Sequence, residues 1–198
     1  MTAPALGVLL AGGQSTRMGR DKAFVEIKGE PLWRRQAGTL ASLGCSRIVV
    51  SRQAGQPPIP GLESLPDEAP DLGPMGGLLA GLRLEAGPLV ALLAIDLPGA
   101  DAAWFAPLFG RSEDRRGAVY LNNGYFEPLA ALYPAAALDE AVRRVGRREL
   151  SMQGLCRSLE QAGLLAVVEL PAPLRAAAAN LNDPGDLATW SPPTPPVR

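Results

Sequence analysis

Ala5-Leu6-Gly7-Val8-Leu9-Leu10-Ala11-Gly12-Gly13-Gln14-Ser15-Thr16-Arg17-Met18-Gly19-Arg20-Asp21-Lys22 splits at its glycines into an apolar half and a basic half. Ala5 to Leu10 is an apolar run that reads as a buried strand. Gly12-Gly13 then falls where a strand ends and the backbone must turn, and the missing Cβ atoms let amide N–H groups approach a ligand. Arg17 and Lys22 add two cations shortly afterwards. Backbone donors with paired cations suit a polyphosphate, whose charge is spread over several oxygens. The same residues also allow a plain tight turn followed by a solvated basic segment. Two familiar phosphate loops do not fit. Gly13 and Gly19 are separated by five residues and followed by Arg20, which is not Gly-x-x-x-x-Gly-Lys-Ser/Thr. Gln14 stands where a dinucleotide fingerprint needs its second glycine.

Downstream, short apolar runs alternate with helical patterns. Lys28-Gly29 marks a turn, and Pro31 suits the first position of a helix running through Trp33 and Leu40 to Leu43, with Gly44 as its stop. Arg47 to Ser51 reads as a second strand, 52–61 as a proline- and glycine-rich loop, and Leu62 to Leu65 as a short third strand. Gly73 to Leu84 reads as loop glycines leading into a helix. Leu89 to Ile95 is almost continuously aliphatic, the pattern of a parallel strand covered on both faces. Ala102 to Phe109 is helical. Asn123-Gly124 predicts a hairpin between Ala118–Leu121 and Tyr125–Tyr133. Helices are expected over 135–145 and 149–162, then a strand from Leu164 to Leu170. The β-α-β-α-β order of the first half argues for a three-layer α/β domain, a Rossmann-like, mainly parallel sheet with an antiparallel insertion in the second half. A single domain is expected over 1–190, with a proline-rich tail at 191–198.

Composition narrows the chemistry. A chain of 198 residues with 47% hydrophobic and 20% charged residues has enough material for a full core. A net charge of −1 gives no global attraction to nucleic acid or acidic membranes, so an anion site must be local. The absence of histidine removes imidazole bases, His-ligated zinc and Ser-His or Cys-His catalysis. Cys45 and Cys156 are too few for a disulfide framework and read as small buried hydrophobes. No signal-peptide pattern or membrane-length apolar run is visible, so a reduced cytoplasm is the default.

Ligands in open parallel sheets bind beyond the C-terminal ends of the strands. That rule selects the loop after Leu10, the residues after Val50, and Asp96. A carboxylate closing the most apolar strand is costly without a partner, and a magnesium ion bridging it to phosphate oxygens would supply one. A helix cap is the competing role, although Asp101 serves it better. Asp67 in Leu65-Pro66-Asp67 also reads as a turn-former, Gly73 and Gly76-Gly77 as packing glycines, and Asn182 as a cap for a helix near Pro184.

The stretch Leu10-Ala11-Gly12-Gly13-x-x-x-Arg17-Met18-Gly19-x-Asp21-Lys22 resembles the N-terminal motif of nucleotidyltransferases of the nucleotide-diphospho-sugar transferase type, and is most similar to that of the molybdenum cofactor guanylyltransferase family. Three later segments extend the resemblance over nearly the whole chain: Gly73-Pro74-Met75-Gly76-Gly77, Asp96-Leu97-Pro98 and Asn180-Leu181-Asn182-Asp183-Pro184-Gly185-Asp186-Leu187. The resemblance implies transfer of GMP from GTP to the phosphate of molybdopterin with release of pyrophosphate. It implies Leu10, Ala11, Gly12, Gly13, Lys22, Ser51, Asp67, Gly76 and Asp96 around the nucleotide, with Asp96 holding Mg2+. Arg17, Lys22 and Asp96 are then the catalytic residues, and Asn180 and Asn182 face the acceptor. The implied small-molecule partners are GTP and molybdopterin, and the candidate protein partners are molybdoenzymes or cofactor-delivery proteins. Neither nucleic acid nor a membrane is implied. Three positions depart from the family pattern: Ser51 replaces asparagine, Ile95 replaces a frequent cysteine, and Asp183 replaces threonine.

Two alternatives accompany this reading. A cytidylyltransferase for the same cofactor, or a relative with another phosphorylated acceptor, shares the loop but often carries Leu-Ala-Ala-Gly, so Gly12 favours guanylyl transfer. A non-catalytic nucleotide-binding or cofactor-delivery protein would have little need of Arg17, Lys22 and Asp96 together.

Overall fold

A computed structural model describes residues 4–13, 21–66, 71–113, 115–181, 185–186 and 190. Arg17, Asp67, Asn182 and the tail at 191–198 lie outside these residues, whereas Gly185 and Asp186 are helical, in the segment that Asn182 is expected to cap.

The apolar run at the start forms β1 (Leu6–Leu10), buried along its length. Arg47–Arg52 forms β4 and Glu63–Pro66 forms β5, while Leu89–Ala94 forms the fully buried β6. Between β1 and β4, Glu26–Ile27 (β2) and Glu30–Pro31 (β3) make a separate small hairpin around the Lys28-Gly29 turn. The second half supplies β7 (Gly117–Asn122), β8 (Tyr125–Phe126), β9 (Ala130–Pro134) and β10 (Leu165–Glu169). The main sheet runs β10-β7-β9-β6-β1-β4-β5, with β8 paired to β7. β6, β1, β4 and β5 are mutually parallel, β9 is antiparallel to β6 and β7, and β10 is parallel to β7. The mainly parallel α/β sheet with an antiparallel insertion is therefore the one the sequence predicts.

Helices cover both faces, as the period-2 alternation of β1 shows. A Cβ on Gly7 would contact Leu40 of α1 (Leu32–Ser42), whereas one on Gly81 of α2 (Pro74–Leu82) would overlap the Val8 side chain. Successive β1 residues thus face opposite helical layers. Helix α3 (Ala102–Phe109) is capped by Asp101, which accepts from Ala103 and Trp104 N–H groups. Trp104 packs edge-on against Tyr120 of β7 at 4.9 Å, and its indole N–H donates to Ala130 of β9. Helices α4 (Leu138–Gly146) and α5 (Met152–Gln161) complete the packing, the latter capped by Ser151. Cys45 and Cys156 are buried free thiols, with burial pushing them up to about 12 and about 11 respectively.

Several boundaries differ from expectation. Pro31 is extended (ψ 142°) and stands just before α1 instead of inside it. The expected arm Tyr125–Tyr133 is broken into β8 and β9 by Glu127-Pro128-Leu129, because Pro128 has no N–H for a ladder. The Asn123-Gly124 turn itself forms, with φ of 50° and 82°. Residues 135–137 begin as a 3-10 turn before α4, and Ala172–Ala178 forms a 3-10 segment that the sequence pattern did not mark. Among the described residues no helix is long and apolar enough to cross a membrane.

Candidate active site

Sheet register creates the site. Leu10, Ser51 and Ala94 are level on adjacent parallel strands. Gly12, Gln53 and Asp96 each lie two residues past that line, on the rim where the strands end. The ladder continues briefly beyond the strands through Ala11 N–H to Ser51 O at 3.0 Å and Ile95 N–H to Leu10 O at 2.9 Å. A cleft of about 210 Å³ opens there, lined by Leu10–Gly13, Lys22, Ser51, Gln53, Gly73-Pro74, Asp96 and Leu129 among others.

The glycines shape this cleft differently. A Cβ on Gly12 would press to 3.3 Å from the Gln53 nitrogen, whereas one on Gly13 would meet no atom of the described residues within 4 Å. Gly73 precedes α2 at φ 57°, ψ −145°, a conformation essentially closed to other residues. Gly76 is buried inside α2 against Leu72 and does not line the cleft. Gly77 lets α2 approach the strand ends, since a Cβ there would overlap Leu10 and lie 2.7 Å from Ser51 Oγ. Of the expected glycine segment, Gly73 and Pro74 reach the cleft, and Gly76-Gly77 support it from behind.

Charge is concentrated at the rim. Lys22 lies in a 3-10 turn, Lys22–Phe24, capped by the Asp21 carboxylate, which accepts from Ala23 N–H at 3.0 Å. Its Nζ stands 3.8 Å from Asp96 Oδ2. Burial pushes the Asp96 carboxyl above its ordinary range, and the nearby Lys22 cation opposes that rise.

Arg52 is a component the sequence reading missed. Its guanidinium, 4% exposed, pairs with Asp21 at 2.6 Å and donates to Ala11 O at 3.3 Å and Pro57 O at 2.7 Å. One buried cation therefore holds residues on both flanks of the loop between β1 and Lys22. The sequence signal is weak, because Ser51 separates Arg52 from the apolar run Ile48-Val49-Val50, whereas Asp96 directly follows its aliphatic strand. Gln53, also missed, lies two residues beyond Ser51 and therefore on the same side of the extended chain. Gln56 donates to Gly13 O at 3.3 Å.

The C-terminal segment reaches this rim as well. Leu181 N–H donates to Asp96 O, Ala177 packs against Gly99, and Asn180 beside them is exposed. The structure thus brings Leu10–Gly13, Lys22, Ser51 and Asp96 to one cleft, with Asn180 on a segment joined to the Asp96 turn.

Comparison with known proteins finds a family for this arrangement. Residues 7–163 match the MobA-like NTP transferase domain. A protein from Opitutus terrae named as a probable molybdenum cofactor guanylyltransferase is 41% identical over 184 residues, covering 91% of each chain. The crystal structure of molybdopterin-guanine dinucleotide biosynthesis protein A from Archaeoglobus fulgidus superposes with a TM-score of 0.71 at 20% identity, over 92% of this chain and 95% of that one. The 2-C-methyl-D-erythritol 4-phosphate cytidylyltransferase of Thermus thermophilus gives a TM-score of 0.66 at 20% identity, over 92% and 95%. Both superpositions are likenesses of fold.

Proposed function

This chain belongs to the MobA-like NTP transferase family, and from that premise we propose that it transfers GMP from GTP to the phosphate of molybdopterin, releasing pyrophosphate. The observation that carries the reading is the Lys22 ammonium 3.8 Å from the Asp96 carboxylate, in a cleft whose wall is the Gly12-Gly13 backbone. A cation, a carboxylate and glycine backbone at converging strand ends are the parts needed to hold a triphosphate.

In the reaction, a phosphate oxygen of the acceptor attacks the α-phosphorus of GTP in line. A new P–O bond forms as the bond to the bridging oxygen breaks, and that oxygen departs with its electron pair on pyrophosphate. An ionised phosphate needs no general base, which suits a chain without histidine. Catalysis is therefore positioning and charge neutralisation. Gly12 and Gly13 N–H groups take phosphate oxygens, and Lys22, together with Arg17, stabilises the charge that develops on the leaving group. Leu10, Ala11, Ser51 and Asp67 border the nucleotide, and Asn180 and Asn182 the acceptor. Gly76 acts through the packing of α2.

Asp96 fits a magnesium ion. Its carboxylate is destabilised by burial, so a second cation beside it is favoured. Among the described residues no group of three or more His, Cys, Asp or Glu side chains could cage a metal. A single carboxylate with substrate phosphates and water completing the shell is a usual magnesium arrangement. The ion would neutralise charge on the triphosphate.

The catalytic unit spans 1–190 in this reading and works in the cytoplasm, passing its product to molybdoenzymes or a delivery protein. The test is incubation of the purified chain with molybdopterin, Mg2+ and each nucleoside triphosphate, followed by product mass and pyrophosphate release. The guanine dinucleotide is expected. A cytosine product would assign cytidylyl transfer, and nucleotide binding without pyrophosphate release would make the chain a non-catalytic binder.

A further inference from the structure

Three polar or charged side chains are buried among the described residues: Gln36, Ser51 and Arg52. Ser51 lines the cleft and Arg52 bridges the loop flanks beside it. Gln36 has no place in the reaction as described, yet it is fully buried. It stands on α1 between Leu32 and Leu40, at the i+4 position of an otherwise apolar stripe facing the sheet. Packing alone would favour leucine there, because a buried amide costs free energy unless its hydrogen bonds are made.

Both donors of its amide go to one turn. Nε2 donates to Ala94 O at 3.1 Å and to Leu97 O at 2.8 Å, carbonyls two residues before and one residue after Asp96. Its Oε1 has no hydrogen-bond partner among the described residues. The neighbouring Arg35 Nε donates to Pro98 O at 3.1 Å, and Leu181 N–H to Asp96 O at 2.9 Å. Every carbonyl from Asp96 to Pro98 is thus held from outside the turn, and Gln36 spans the turn from below.

We infer that Gln36 is a positioning residue whose side-chain amide fixes the Ala94–Pro98 turn and thereby the direction of the Asp96 carboxylate. The proposal rests on the reading of Asp96 as the metal and triphosphate ligand. A merely structural role would show mainly as lost stability. Here the cost to stability is limited, because replacing Gln36 by an apolar residue of similar length also removes the unpartnered Oε1 and leaves Ala94 O its longer bond from Leu97 N–H at 3.4 Å. Leu97 O keeps its bond from Ala100 N–H at 3.0 Å.

The test uses Gln36→Met, with Gln36→Asn as a second variant too short to reach both carbonyls. Three quantities are read on the full chain: melting temperature, backbone hydrogen exchange of peptides spanning 94–98, and Mn2+ affinity by electron paramagnetic resonance with a non-hydrolysable GTP analogue. The expected result is a melting temperature within a few degrees of wild type, exchange in the turn faster by about tenfold, and Mn2+ binding weaker by about tenfold. A folded variant with unchanged exchange and unchanged Mn2+ affinity overturns the proposal. If Gln36→Met does not fold, the same two quantities in Gln36→Asn decide it. Failure of the metal reading looks different: wild type and Asp96→Asn would then bind Mn2+ equally. In that case exchange alone decides whether Gln36 holds the turn.

Discussion

Leu181 donates its backbone N–H to the carbonyl oxygen of Asp96 at 2.9 Å, which ties the chain just past the Ala172–Ala178 segment to the turn beyond the central strand. Two further contacts reinforce the tie. Arg35 stacks over Trp190 at 5.2 Å while donating to Pro98 O, and Ala177 sits against Gly99. The nucleotide side and the acceptor side of the proposed reaction therefore share a single turn. Rigidity in that turn serves both substrates, since in-line transfer demands that both be oriented at once.

Asp96→Asn is expected to lower nucleotidyl transfer by at least about a hundredfold, or about 2.7 kcal/mol, because it keeps the shape but loses the charge. Its effect on stability has the opposite sign. The Asp96 carboxyl is raised in the folded state above its ordinary value of 3.8, chiefly by burial. Below the unfolded value both states are protonated and the aspartate carries no penalty. As pH rises through the window up to the folded value, the unfolded chain ionises first and wild type loses stability. The variant should therefore melt above wild type at neutral pH, with the gap closing in acid. Thermal melts from pH 4 to 7 check this, and a gap that widens in acid would contradict it.

Lys22→Ala should cost ten- to a hundredfold in transfer, on the order of 1.4–2.7 kcal/mol of transition-state stabilisation. It also removes the cation that opposes the upward push on Asp96. The variant should accordingly be less stable than wild type near neutral pH, and the added change Asp96→Asn should recover that loss. Single-turnover pyrophosphate release and melts of the single and double variants are the measurements. Unchanged release would mean that Lys22 does not touch the triphosphate.

Legibility in the sequence follows how local each cause is. β1, β6 and the Asp101-capped α3 are readable because an aliphatic run or a cap specifies them within a few residues. Ser51 and Asp96 are readable as strand-end residues, since parallel sheets place those ends together, and Lys22, in a 3-10 turn well past β1, is readable as a cation that follows the glycine loop. Arg52 and Gln36 are not readable in this way. Arg52 looks like the first residue of a loop until Asp21 and Ala11 are seen around it, and Gln36 looks like an ordinary helix residue until the Ala94–Leu97 turn is found above it. Both have partners distant in sequence, and no periodicity records such a pairing. The break at Pro128 was visible in principle, but Asn123-Gly124 drew both arms into one hairpin.

The pairing of Arg52 with Asp21 should appear in a double-mutant cycle. Arg52→Met leaves the Asp21 carboxylate without its 2.6 Å partner and frees Ala11 O and Pro57 O. A loss of about 1.5–3 kcal/mol is expected, the range for hydrogen bonds to charged groups. Asp21→Asn should cost less, because the amide oxygen can still accept from Arg52 and from Ala23 N–H. Denaturant unfolding of the four proteins gives the coupling, which should exceed about 0.5 kcal/mol. Strict additivity would show that the two residues are neighbours without interaction. Arg52→Met should also raise the KM for GTP more than it lowers kcat, since it loosens the loop flanks and leaves Asp96 in place.

GTP should be preferred over ATP and CTP by at least about tenfold in kcat/KM, equivalent to 1.4 kcal/mol. Guanine presents N1–H and N2–H donors, which a carboxylate or carbonyl oxygens can accept, and a site built for them is left with unpaired buried acceptors when another base enters. The cleft offers such groups near Ser51, which is 4% exposed and backed by Gly77, and at Gln53 on the rim. Serine is short where the family commonly places asparagine, so the Gln53 amide is the nearest longer polar group on that side. Ser51→Asn, the family residue, has little room, because even a Cβ on Gly77 would lie 2.7 Å from Ser51 Oγ. The variant should therefore lose GTP affinity, and Gln53→Ala should narrow the preference of GTP over CTP. Competition among the three nucleotides with purified molybdopterin measures both effects. Equal use of CTP by wild type would move the assignment to cytidylyl transfer and leave the sheet, the phosphate loop and the Lys22–Asp96 pair as described.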